Sequence, residues 1–178
     1  MNKTISNLRS SLAAAVTVGL ILGTASVTLG ATASDSVAFS GTAAPVATIA
    51  VDHATFTTLD IHAGASAVTV ATATEICNSQ TGYKVALESA NAVAAGSASA
   101  TLKGSAVATN TVSYTILYNG VGVTLGSDGK TASGTAAFTA DAPTIEAGVQ
   151  HALAVTFAGV WKPADTYSDT ITLTIAAK

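Results

Sequence analysis

The chain has 178 residues, 49% of them hydrophobic, 10% charged and 5% aromatic, with 7 basic and 10 acidic side chains. That composition excludes an intrinsically disordered tail and a basic nucleic-acid binder, and the length suits one domain with a targeting segment rather than a two-domain enzyme. A single cysteine rules out an internal disulfide and any cysteine-rich zinc site, so stability must rest on packing and backbone pairing.

Residues 1–33 read as a secretory leader. Lys3 and Arg9 precede an apolar run from Leu12 to Leu22, and small residues close on Ala31-Thr32-Ala33. The run is about half of the ~20 residues that a bilayer-spanning helix needs, which favours a signal helix cleaved before Ser34 over a membrane anchor. Removing Lys3 and Arg9 leaves five basic against ten acidic side chains. Such a surface repels nucleic acid and anionic lipid, so neither nucleic-acid binding nor stable membrane insertion is expected after cleavage.

From Ser34 onward, alternation with period two replaces helical periodicity. Val37, Phe39 and Gly41 share one face of a short extended segment, with Ala38, Ser40 and Thr42 on the other. Strand patterns also fit 54–61 and 66–76. After a turn at Asn78-Ser79-Gln80-Thr81-Gly82, Tyr83, Val85 and Leu87 alternate with Lys84, Ala86 and Glu88. The alanine-rich stretch 90–100 is the one place where a short helix competes, but Gly96 and the repeated serines favour a loop or a weak edge strand. Val112, Tyr114, Ile116 and Tyr118 form the next face and run into Asn119-Gly120, the pair that a type I′ hairpin turn demands. Gly126-Ser127-Asp128-Gly129 marks another turn. Val149, His151, Leu153, Val155 and Phe157 then alternate with polar or small residues, and after Lys162-Pro163-Ala164-Asp165 the last face is Tyr167, Ile171, Leu173 and Ile175. Strands recurring at this spacing, each half polar, predict an all-β antiparallel sandwich.

No constellation for catalysis stands out. His53, His62 and His151 lack partners at metal-motif spacing, and His151 falls on the apolar face of its strand, where a hydrogen-bonded buried imidazole is expected. There is no Gly-x-Ser-x-Gly elbow. Gly129-Lys130-Thr131 imitates the end of a phosphate loop, but Thr124 stands where its first glycine belongs, so it reads as a hairpin tip. Asp165 and Asp169 sit beside turns, where carboxylates cap backbone amides. Cys77 reads as a small buried side chain. Trp161, near the end of a strand, reads as a cover on the core, and as a surface contact for a sugar if its indole is exposed. No catalytic residue, cofactor or metal is expected.

Three blocks in order carry a resemblance: Cys77-Asn78 with Gly82-Tyr83-Lys84-Val85, Val112 to Gly120 around Tyr114 and Tyr118, and Pro163-Ala164-Asp165-Thr166-Tyr167-Ser168-Asp169. Together they resemble the spore coat U domain family, which includes the major subunits of archaic chaperone–usher pili. The resemblance implies an immunoglobulin-like sandwich lacking one strand, preceded by an extension (34–51) and occupying 52–178. It further implies a homopolymeric surface fibre in which Val37, Phe39 and Gly41 of one subunit complete the sheet of the next. A periplasmic chaperone and an outer-membrane usher would handle the subunit on its way from the periplasm to the cell surface. Gly41 suits a point of close backbone approach. Two positions depart from the pattern. The family's first-strand cysteine, partner of the one before Asn78, has no counterpart in Pro45–Ala50, and Asp165 replaces a glycine. The competing readings are a self-complemented binding module for glycan or protein, with 37–42 as its own first strand, and a small secreted hydrolase for which no residue can be nominated.

Overall fold

A computed structural model describes residues 34–132, 135–144 and 146–178; the proposed signal helix lies outside the described residues. The chain divides into two units, 1–41 and 42–178. In the first, residues 34–41 take no regular secondary structure and are exposed.

The second unit is mostly β. Its elements are β1 (Ala47–Val51), β2 (Gly64–Cys77), β3 (Tyr83–Ser89), α1 (Ala90–Ala95), β4 (Ala100–Gly104), β5 (Thr111–Tyr118), β6 (Val121–Gly122), β7 (Phe138–Ala140), β8 (Val149–Ala158), β9 (Tyr167–Ser168) and β10 (Ile171–Ala177). The larger sheet runs β1-β2-β8-β5-β4-β9 with β6 folded onto β5, and the smaller runs β10-β3-β7. Every pairing is antiparallel. Val85 and Leu87 of the small sheet share one core with Ile116, Tyr118, Leu153 and Val155 of the large one.

The alternation read from sequence is the alternation that buries these strands. Tyr83, Val85 and Leu87 point inward along β3, as do Val112, Tyr114, Ile116 and Tyr118 along β5. Asn119 and Gly120 have φ of +51° and +75°, the left-handed pair of a type I′ turn between β5 and β6.

Three expectations are corrected. Residues 54–61 form no strand. Asp60 Oδ1 accepts the amides of His62 and Ala63 at 2.9 and 3.1 Å and its carbonyl accepts Gly64 N–H at 2.9 Å, a local turn that outcompetes ladder pairing. The stretch after Ser89 is helical, because Ser89 caps the Ala92 amide and Gly96 takes the left-handed conformation that ends a helix. Read as a breaker, Gly96 is instead the C-terminal cap. Finally, the run 167–175 is not one strand: it changes sheets at Asp169-Thr170, with β9 joining β4 and β10 joining β3.

Candidate functional site

Among the described residues, β1 and β10 each pair on one side only, and hydrogen-bond parity shows which backbone groups they offer on the other. β10 pairs with β3 in a register bounded by Lys178 N–H to Gly82 O and Ala90 N–H to Thr170 O, at 3.0 and 2.9 Å. The even-numbered residues of β10 therefore bond to β3, while the N–H and C=O groups of Ile171, Leu173 and Ile175 point to the vacant side. β1 repeats the arrangement on the large sheet. Asn78 N–H bonds Val46 O and Asp52 N–H bonds Thr72 O, which turns the backbone groups of Ala47, Ile49 and Val51 outward.

β1 and β10 approach one another across the sandwich. A cleft of about 220 Å³ opens beside them, lined by apolar side chains of Val51, Phe56, Leu59, Ile171 and Leu173 together with polar ones from His53, Thr55, Ser168, Asp169 and Thr170. Ile171, Leu173 and Ile175 are half-buried, whereas the intervening Thr172 and Thr174 face solvent. An open edge flanked by half-covered aliphatic side chains is a template for one more strand.

Asp169 holds this cleft in shape. Its Oδ2 accepts the Tyr114 and Ser89 hydroxyls at 2.7 and 2.6 Å, and its Oδ1 accepts the amides of Asn91 and Thr170 at 2.9 and 2.7 Å. Burial, then the bond to Asp169, pushes the Tyr114 phenol well above its ordinary range. At the other end of β1 the Asn78 side chain fastens the incoming backbone: its Nδ2 donates to Ala44 O and its Oδ1 accepts Val46 N–H, both at 2.7 Å. Val37 and Phe39, the two apolar residues of the first unit's alternating segment, are 74% and 91% exposed, and Gly41 is exposed too.

Asp165 organises the neighbouring loop. It accepts from Ser105 Oγ at 2.7 Å and from the amides of Ala106, Val107 and Thr166. The Ser105 hydroxyl and the Ala106 amide hold its carboxyl below the usual carboxylate range, and the Thr72 amide does the same for Asp52. Both folded-state values lie below the unfolded value of about 3.9, so the stability they contribute is complete above that pH and is lost as pH falls through the folded values. The urea midpoint is therefore expected to stay level from about pH 7 to 5 and to drop below about 4, with Asp165→Asn starting lower and dropping less.

The remaining sequence candidates lie elsewhere. Cys77 is fully buried, as expected. His151 is buried and hydrogen-bonded, its Nδ1 lying 3.1 Å from Oε2 of Glu75. Glu75 itself is completely buried and also accepts the Tyr118 hydroxyl. Sequence reasoning missed this carboxyl, although its parity with Ala73 and Cys77 placed it on the inward face. Trp161 is no cover on the core: it is 86% exposed and stacks on His62. Among the described residues, no cluster of His, Cys, Asp and Glu could hold a metal ion, and no helix is long and apolar enough to cross a membrane. No protein-family model and no curated protein matches the chain, so what the site does has to be read from its geometry.

Proposed function

We propose that this chain is the structural subunit of an exported surface fibre, an immunoglobulin-like sandwich short of one strand, joined to its neighbours by donor-strand exchange. The observation that carries the reading is the pair of edges at β1 and β10, open among the described residues, beside a cleft that Ile171 and Leu173 help to line. Segment 34–42 has the alternation of a strand but joins no sheet, and β10 has a strand partner on one side only. Val37 and Phe39 buried in a neighbour's cleft would contribute about 1.5–3 kcal/mol each, and each ladder hydrogen bond about 0.5–1.5 kcal/mol net. Two side chains cannot hold a fibre by themselves, so the backbone groups of Ile171, Leu173 and Ile175 carry much of the join. Export through the periplasm, with a chaperone capping the edge until the next subunit replaces it, belongs to the same proposal and is supported by the leader and the family resemblance.

Deleting residues 34–42 should give a subunit that folds and accepts a strand but cannot donate one. Leu173→Asp should give one that donates but cannot accept, because the carboxylate would replace an aliphatic side chain packed on the core beside the cleft. Each variant alone is expected to remain a monomer by size-exclusion chromatography. Their mixture is expected to stop at a heterodimer, while the intact chain forms filaments visible by electron microscopy. Continued polymerisation of the truncated protein would overturn the reading.

A further inference from the structure

We propose that Trp161 and His62 form a shallow binding platform for a neutral hexopyranoside. The indole of Trp161 is 86% exposed, and the imidazole of His62 lies nearly parallel to it, with ring centroids 4.5 Å apart and planes inclined by 13°. His62 covers one face of the indole and leaves the other to solvent. An indole held this way contributes little to folding, since it buries almost nothing, and the backbone beneath it is fixed. Val160 N–H bonds Ile61 O at 3.0 Å, His62 Nε2 donates to Lys162 O at 3.3 Å, and Asp60 Oδ1 holds the His62 amide. Gly159 packs so closely on the His62 carbonyl that a Cβ there has no room.

The surroundings indicate the ligand class. His62 and Lys162 also line a depression of about 420 Å³ that includes Asp60, Thr58, Asp165 and Tyr167. Its wall also carries Leu59, Ile61, Pro163 and Ala164, so apolar surface and polar groups alternate beside the stacked rings. That combination suits a ligand with one flat C–H face and a rim of hydroxyls, which describes a pyranose. The indole stacks on the C–H face. Asp60, whose Oδ1 is occupied by the His62 and Ala63 amides, offers Oδ2 as acceptor, and Lys162, which has no ion-pair partner among the described residues, donates. A ligand of this size on one aromatic platform binds with a Kd on the order of millimolar.

Trp161 is the chain's one tryptophan, so intrinsic indole emission reports this site alone. The intact subunit, kept dilute enough to be single, would be titrated with methyl β-galactoside, methyl β-glucoside and methyl α-mannoside, with glycerol as a hydroxyl-bearing control that lacks a ring face. A saturable emission change is expected with at least one pyranoside and none with glycerol. His62→Ala should weaken binding by about 2- to 10-fold, because the stacked imidazole orients the indole. Trp161→Ala should abolish saturation transfer to the sugar ring protons in NMR without moving the melting temperature, which shows the fold intact. No saturable change with any of the three sugars would overturn the proposal, as would saturation transfer that survives Trp161→Ala. So would an emission change that follows self-association instead of sugar, since that result assigns the indole to subunit contact.

Discussion

Ala47→Cys is expected to form a disulfide with Cys77 on mild oxidation and to raise stability by about 3–4 kcal/mol, or roughly 8–15 °C in melting temperature. The expectation follows from register. Ala47 lies directly across from Cys77 in the β1–β2 ladder, and the bonded pairs at Val46/Asn78 and Asp52/Thr72 make Ala47/Cys77 a non-hydrogen-bonded pair. In such pairs the Cα atoms approach to about 4.5 Å, inside the range that a disulfide spans. The bridge would close the chain between β1 and the end of β2, removing loop entropy from the unfolded state. Ala50→Cys, opposite Thr74 and facing outward, is the control: it should leave both thiols free. The measurement is thiol titration with thermal melts in the presence and absence of reductant. Two free thiols in oxidised Ala47→Cys would mean that the register is wrong. The family resemblance implied a first-strand cysteine as partner of Cys77, and the ladder identifies Ala47 as the residue standing across from it.

The second large effect is expected inside the core. Glu75→Ala should cost about 3–5 kcal/mol, a large fraction of the 5–15 kcal/mol by which domains are typically stable. Glu75 is fully buried and accepts from Tyr118 while lying 3.1 Å from His151 Nδ1, so its removal strands two polar groups away from water at once. Burial, followed by the hydrogen bond to Glu75, already pushes the Tyr118 phenol well above its ordinary range. Phe138 packs on the His151 ring with centroids 4.3 Å apart, which closes the site to solvent from the β7 side. Replacing the whole network with apolar residues, as Glu75→Leu with His151→Leu and Tyr118→Phe, should recover most of the loss, because no orphaned group remains. Urea titration of both variants checks the pair of statements. A single-variant cost near zero would show that water reaches the cluster.

Much of the fold was legible because burial in β3, β5, β8 and β10 leaves a period-two record that composition does not blur. Tyr83-Lys84-Val85-Ala86-Leu87 could hardly read otherwise, and Asn119-Gly120 specifies its turn by backbone conformation alone. β4 and β7 left weaker traces: they have five and three residues and carry alanine and threonine, which suit a loop as well as a strand. The 54–61 error shows a local side-chain bond from Asp60 overruling alternation, and α1 shows two caps overruling weak helix propensity. For the candidate site the division is sharper. The alternation of Val37 and Phe39 is written in the chain, but the vacancy beside β10 is a property of strand order, which no local pattern encodes. His62 beneath Trp161 is likewise invisible in sequence, since the two residues meet only because the backbone at Ile61 and Val160 is joined.

The central ladder of the large sheet joins Gly64 to Ala158 and Glu75 to Val149. It therefore unites segments about 75 to 95 residues apart, and closing so long a loop comes at an entropic cost before any contact rewards it. While the chain is being synthesised, β1 and β2 can pair with one another but cannot join the rest of the large sheet until β8 has emerged. A polypeptide with this wiring can pair β1 with β2 and β4 with β5 as it emerges, but it completes its large sheet late, once β8 has been made.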